Sequence, residues 1–99
     1  MFVDYPVANT PVLATPRFDH TATVVNGKIV IAGGYGTENL LSSVELFDPS
    51  SDSFSSLPDM NIARSVFQAA ALQSTLFVFG GFLSIPGSQV SVESLTLPE

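Results

Sequence analysis

Apolar residues in this chain come in short runs bounded by glycine, proline and small polar residues, which is the punctuation of strands and turns rather than of long helices. Residues 20–25, His20-Thr21-Ala22-Thr23-Val24-Val25, are rich in β-branched side chains and partly alternate. Asn26-Gly27 separates them from the run Lys28-Ile29-Val30-Ile31-Ala32. Two such runs joined by Asn-Gly predict a β-hairpin over 20–32, because both central residues of a type I′ turn need positive φ. The second run does not alternate, so it is expected to be an inner strand covered on both faces. It ends on Gly33-Gly34, and a polar loop over 35–39 follows before Ser43-Val44-Glu45-Leu46-Phe47 returns to strand chemistry. Asp48-Pro49-Ser50-Ser51-Asp52 reads as a turn, since proline presets φ and aspartate accepts local backbone hydrogen bonds. A fourth short strand over 53–57 is closed by Pro58. Residues 1–16 carry Pro6, Pro11 and Pro16, so at most a short edge strand or an extended connector is expected there.

The same order returns 47 residues later: Arg17 maps to Arg64, Asn26-Gly27 to Gln73-Ser74, and Gly33-Gly34 to Gly80-Gly81. With one inserted residue, Val44-Glu45 maps to Val92-Glu93. No counterpart of Phe54 follows Glu93, whereas Val7 stands one period before Phe54 and reads as the remnant of a leading fourth strand. A period near 50 with four short strands, a double glycine after the second and Val-Glu in the third resembles the kelch motif of β-propellers. Two positions depart from it: Phe54 stands where that family usually has Trp, and Phe67 stands where the first copy has His20.

The resemblance implies an all-β chain of two four-stranded antiparallel β-propeller blades of kelch type, forming an incomplete propeller. Residues 1–15 would be a leading segment, 16–62 the first repeat, and 63–99 the second repeat without its last strand. Propellers close with about 4–8 blades. Each end of a two-blade array would leave an apolar face wet, forgoing about 1.5–3 kcal/mol per large side chain. The chain is therefore expected to need further blades. A fragment of a larger propeller is the preferred reading; assembly with other copies, residues 1–13 of one supplying the missing strand of the next, is the other.

Composition narrows the chemistry. Charged residues make up 12% of the chain against 45% hydrophobic, too few to cover a self-sufficient globule comfortably. Nine carboxylates against three cations give a net charge of −6, which disfavours nucleic acid, because that binding rests on Lys and Arg neutralising phosphates. No apolar run reaches the ~18–20 residues needed to span a bilayer and the N-terminus lacks a signal-peptide pattern, so no membrane partner is expected. The absence of cysteine fits a reducing, cytoplasmic setting.

No catalytic residue, metal site or cofactor is expected. Gly33-Gly34-Tyr35-Gly36 lacks the third glycine and the helix of a dinucleotide loop, so its glycines read as structural. His20 is the single histidine and is expected to be a packed or hydrogen-bonded structural residue. Arg17, Arg64, Glu45 and Glu93 repeat at fixed places in an apolar frame, and buried charges need partners. The arginines are expected to brace neighbouring blades, with the two glutamates as acceptors; Phe54, Gly33, Gly34, Gly80 and Gly81 complete the structural set. Partner binding is assigned to the loops after the glycine pairs: Tyr35, Thr37, Glu38 and Asn39 in the first, Phe82, Ser84 and Gln89 in the second. The functional expectation is a non-catalytic protein-interaction or scaffold module. The alternative is a piece of a kelch-like propeller enzyme, an oxidase or sugar-modifying enzyme, with its active site on other blades.

Overall fold

Strand-forming residues separated by two-residue turns pair locally, and in the computed structural model, which describes residues 1–2, 13–83 and 91–98, they do so twice. Strands β1 (Thr21–Val25), β2 (Lys28–Ala32), β3 (Val44–Asp48) and β4 (Ser53–Leu57) form one antiparallel sheet in sequence order. A two-residue ribbon pairs β5 (Arg64–Ser65) with β8 (Phe82–Leu83). Strands β6 (Gln68–Leu72), β7 (Thr75–Phe79) and β9 (Val92–Thr96) form a three-stranded antiparallel sheet in the order β6-β7-β9. Every described strand is antiparallel and the sheets do not close on themselves. The leading strand expected near Val7, and the residues Ser84 and Gln89, lie outside the described residues.

The Asn26-Gly27 turn has φ of 54° and 74°, the positive pair a type I′ hairpin demands, and it sets the register Val25↔Lys28. In the second hairpin Gln73 alone has positive φ, 55°, and the loop is still two residues long, Leu72↔Thr75. The ribbon β5-β8 was not expected. Its counterpart in the first repeat is the isolated bridge Phe18↔Tyr35, so both repeats tie the segment before the first strand to the residue after the glycine pair.

The two sheets face one another across a single core. Val25, Val30, Ala32 and Val44 of the first sheet are buried against Leu76 and Val78 of the second, with Ala69, Ala71 and Leu95 packed around them. The mating is head to tail. The first sheet contributes the face bearing Val30 and Ala32, whereas the second contributes the face bearing Leu76 and Val78, which correspond to Ile29 and Ile31. Ile29 and Ile31, expected to be covered like their neighbours, are only half-buried, because they lie on the opposite face of the sheet from this core. The edge strands β1 and β6 lie together, with the small Ala69 and Ala71 permitting close approach, while β4 and β9 are not neighbours. The wedge between them is occupied by the connector over 58–62, with Met60 against the core, beside a cleft of about 140 Å³ that opens to solvent.

Candidate functional site

A buried arginine in each repeat ties down the base of the loop that follows the glycine pair. Arg17 and Arg64 have fully buried side chains, and guanidinium offers five N–H donors in a fixed fork. Arg17 uses all five. Nη1 donates to the carbonyls of Gly33 (2.9 Å) and Ser43 (3.0 Å), Nη2 to Ser43 Oγ (2.8 Å) and Glu45 Oε2 (3.0 Å), and Nε to the Thr15 carbonyl (3.4 Å). In the second repeat Arg64 Nη1 donates to Gly80 O (3.2 Å) and Ser91 O (3.3 Å), and Nη2 to Ser91 Oγ (2.8 Å) and Glu93 Oε2 (2.8 Å).

Each glutamate also accepts from the segment ahead of its arginine, Glu45 from Ala14 N–H at 2.9 Å and Glu93 from Asn61 and Ile62 N–H at 2.6 and 2.9 Å. The expected bracing between blades is therefore made by a glutamate and not by the guanidinium groups: apart from Arg17 Nε to Thr15 O, each arginine bonds within its own repeat, while Glu93, held by Arg64, takes Asn61 and Ile62 N–H of the first repeat. Further links between repeats run through backbone. Gly34 N–H donates to Arg64 O (2.8 Å), Arg64 N–H to Leu41 O (3.2 Å) and Val66 N–H to Asp19 O (3.0 Å), while Met60 N–H to Ser42 O (2.8 Å) fastens the connector to its own repeat.

The glycine pairs have a steric cause. Gly33 has φ of 63°, and a Cβ there would stand 2.7 Å from Arg64 O and 2.8 Å from the Phe67 ring. Their amides are also committed, Gly33 N–H to Ser43 O (3.0 Å) and Gly34 N–H to Arg64 O, which leaves no cradle for an anion. His20 departs from expectation: its side chain is exposed rather than packed, with its Cβ against Gly34. Phe67, at the corresponding position, is 6% exposed and fills the seam beside Gly33. Phe54 packs on Phe47 across β3-β4 with ring centroids 4.9 Å apart. In the turn, Asp48 Oδ1 accepts from Ser50 Oγ (2.7 Å) and Ser50 N–H (3.0 Å), and these bonds hold its carboxyl below the ordinary value of 3.8.

At the glycine end of the sheets the loops form a rim. Tyr35 donates from its hydroxyl to Glu38 O (3.0 Å) and packs its ring 5.7 Å from Phe18, while Gly36 N–H closes the turn onto Asn39 O (2.9 Å). Thr37, Glu38 and Asn39 are exposed at its tip. In the second repeat Phe82 is 69% exposed. The structure adds residues that sequence reasoning missed: Phe18 is 57% exposed, Val66 56%, and Asp19 and Val66 both hold left-handed backbone, φ 56° and 51°. The signal was present, because Asp19 and Val66 are 47 residues apart like every other repeated pair. Among the described residues no group of three or more His, Cys, Asp or Glu is placed to hold a metal ion, and no helix is long and apolar enough to cross a membrane.

Comparison with known proteins places this geometry. A family model described as the Kelch motif matches residues 16–61. The influenza virus NS1A-binding protein homolog of Mus musculus is 46% identical over 57 residues, which is 58% of this chain and 9% of that protein. The Homo sapiens NS1A-binding protein is 44% identical over the same length and shares. Kelch-like protein 25 of Homo sapiens is 32% identical over 88 residues, 88% of this chain and 15% of that protein. The chain thus spans only a small part of the length of the curated relatives it matches.

Proposed function

The chain is built from kelch repeats, and from that premise we propose that it is a non-catalytic protein-interaction module supplying two blades of a larger propeller. The rim formed by Phe18, Tyr35, Val66 and Phe82, with Thr37 to Asn39 beside it, is its partner-contacting surface. Exposed apolar side chains on loops fixed at their base carry this reading, since binding groups held on a rigid scaffold lose little freedom on docking. Three of these four are exposed large hydrophobic residues, and Tyr35 is half-buried against Phe18. The matched relatives include one named for binding a viral protein, and protein binding is the class of activity carried over from it. A location in the cytoplasm fits the cysteine-free sequence.

The test is affinity capture from extract with the chain as bait, run beside a Tyr35→Ala/Phe82→Ala variant and a Ser51→Ala control at the opposite end of the sheet. Loss of about tenfold in affinity for the captured partner, equivalent to ~1.4 kcal/mol, is expected for the rim variant alone. Equal capture by all three proteins would refute the assignment.

A further inference from the structure

The head-to-tail seam between the two sheets uses one half of an interface on each sheet and leaves the complementary half of each exposed. On the second sheet the positions corresponding to the mated Val25, Val30, Ala32 and Val44 are Leu72, Phe77, Phe79 and Val92. Leu72 is 69% exposed, Val92 56% and Phe79 43%, with the Phe77 and Phe79 rings stacked at 6.5 Å. On the first sheet the positions corresponding to the mated Ala69, Ala71, Leu76, Val78 and Leu95 are Ala22, Val24, Ile29, Ile31 and Phe47. Val24 is 68% exposed, and Ile29, Ile31 and Phe47 are half-buried. Every one of these positions is apolar. The two free faces are therefore the two halves of the seam the chain already makes.

We infer that a second copy of this chain docks head to tail, its Val24-Ile29-Ile31 face on the Leu72-Phe79-Val92 face of the first, by the operation that relates the two sheets within one chain. The established seam supplies the geometry. Its backbone link, Gly34 N–H to Arg64 O at 2.8 Å, has as its counterpart Gly81 N–H of one copy donating to the Arg17 carbonyl of the next. At the Phe67 position the incoming copy presents His20, which is exposed in the single chain and becomes covered beside Gly80. A heterologous interface of this kind closes into a ring when its rotation closes and otherwise grows without limit. The wedge, tight at β1 and β6 and open at β4 and β9, supplies that rotation. Propellers close at about 4–8 blades, so roughly two to four copies complete a ring. The inference rests on the kelch fold and not on partner binding at the rim.

Sedimentation equilibrium of the purified chain at tens of micromolar is the experiment. A discrete species of roughly two to four times 10.5 kDa is expected. Val24→Asp and Leu72→Asp each place a charge on one free face at an already exposed position, so each alone is expected to sediment as a smaller species while keeping the β-sheet circular dichroism of the parent. Mixed in equal amounts they are expected to form a dimer and nothing larger, since Leu72 of the first variant and Val24 of the second leave one intact seam. A folded monomeric parent would overturn the inference, as would assembly that survives both substitutions or a mixture that stays monomeric. Should the aspartate variants not fold, Val24→Lys and Leu72→Lys provide the same comparison, and the mass of the parent remains decisive alone. Loss of rim binding in the capture experiment with the oligomer intact would touch the proposed function only.

Discussion

Arg64 concentrates the energetics of the second repeat in one side chain. Its guanidinium is fully buried and joins two carbonyls, a serine hydroxyl and Glu93, so Arg64→Met strands those acceptors and is expected to cost about 3–5 kcal/mol. A thermal melt checks it, and a Tm within a degree of the parent would refute the role. Gly33→Ala should cost at least ~2 kcal/mol by the same measurement. The left-handed backbone disfavours a Cβ by about 1–2 kcal/mol, and the contact with Arg64 O adds to this. Val66 carries strain of the opposite sense, being β-branched at φ 51°. Val66→Asn is expected to raise stability by about 1 kcal/mol, a Tm gain of roughly 4–8 °C. Asp48 has a lowered carboxyl pKa from its Ser50 bonds, so its contribution is present above the ordinary value of 3.8 and is lost as pH falls through the native one. Asp48→Asn should remove that acid-side dependence in pH-jump unfolding. At this scale the paired Arg and Glu were legible because an isolated charge recurring in an apolar frame requires a partner. Which repeat supplied the partner was not, because Arg64 stands at the junction of the two repeats and its acceptors lie 16 to 29 residues along the chain.

Among the elements, β1 to β4 follow the sequence pattern closely because each is bounded by a turn with its own local cause. The hairpin over Asn26-Gly27 has it in two positive φ values, and the β3-β4 turn in the Asp48 to Ser50 bonds. The pair β5-β8 was not legible, since two residues carry no periodicity and the partners Ser65↔Phe82 and Arg64↔Leu83 lie 17 and 19 residues apart. Phe54, where a larger aromatic is usual in this motif, still pairs with Phe47 at 4.9 Å. A double-mutant cycle on Phe47→Ala and Phe54→Ala in denaturant unfolding should give a coupling of about 0.5–1.5 kcal/mol, and zero coupling would show that the rings act only through burial.

The two sheets are expected to unfold as one cooperative body, because they share a core rather than owning one each. Val30 lies on β2 but belongs to the same cluster as Leu76 and Val78 on β7. Val30→Ala is therefore expected to lower hydrogen-exchange protection in β2 and β7 together, by about 2 kcal/mol of opening free energy. Loss confined to β2 would mean that the sheets unfold separately.

By itself the sequence determined the repeat, the strands and their turns, the glycine pairs and the buried charges, since each depends on neighbours within a few residues or on a 47-residue echo. Only the tertiary structure decided which face of each sheet is mated. Strands 28–32 and 75–79 are apolar on both sides, so periodicity names no preferred face, and the choice falls to the wedge between β1 and β6. That choice buries Phe67 and leaves His20 in solvent at the same place in the repeat. It also decides which apolar residues remain free to meet the next blade.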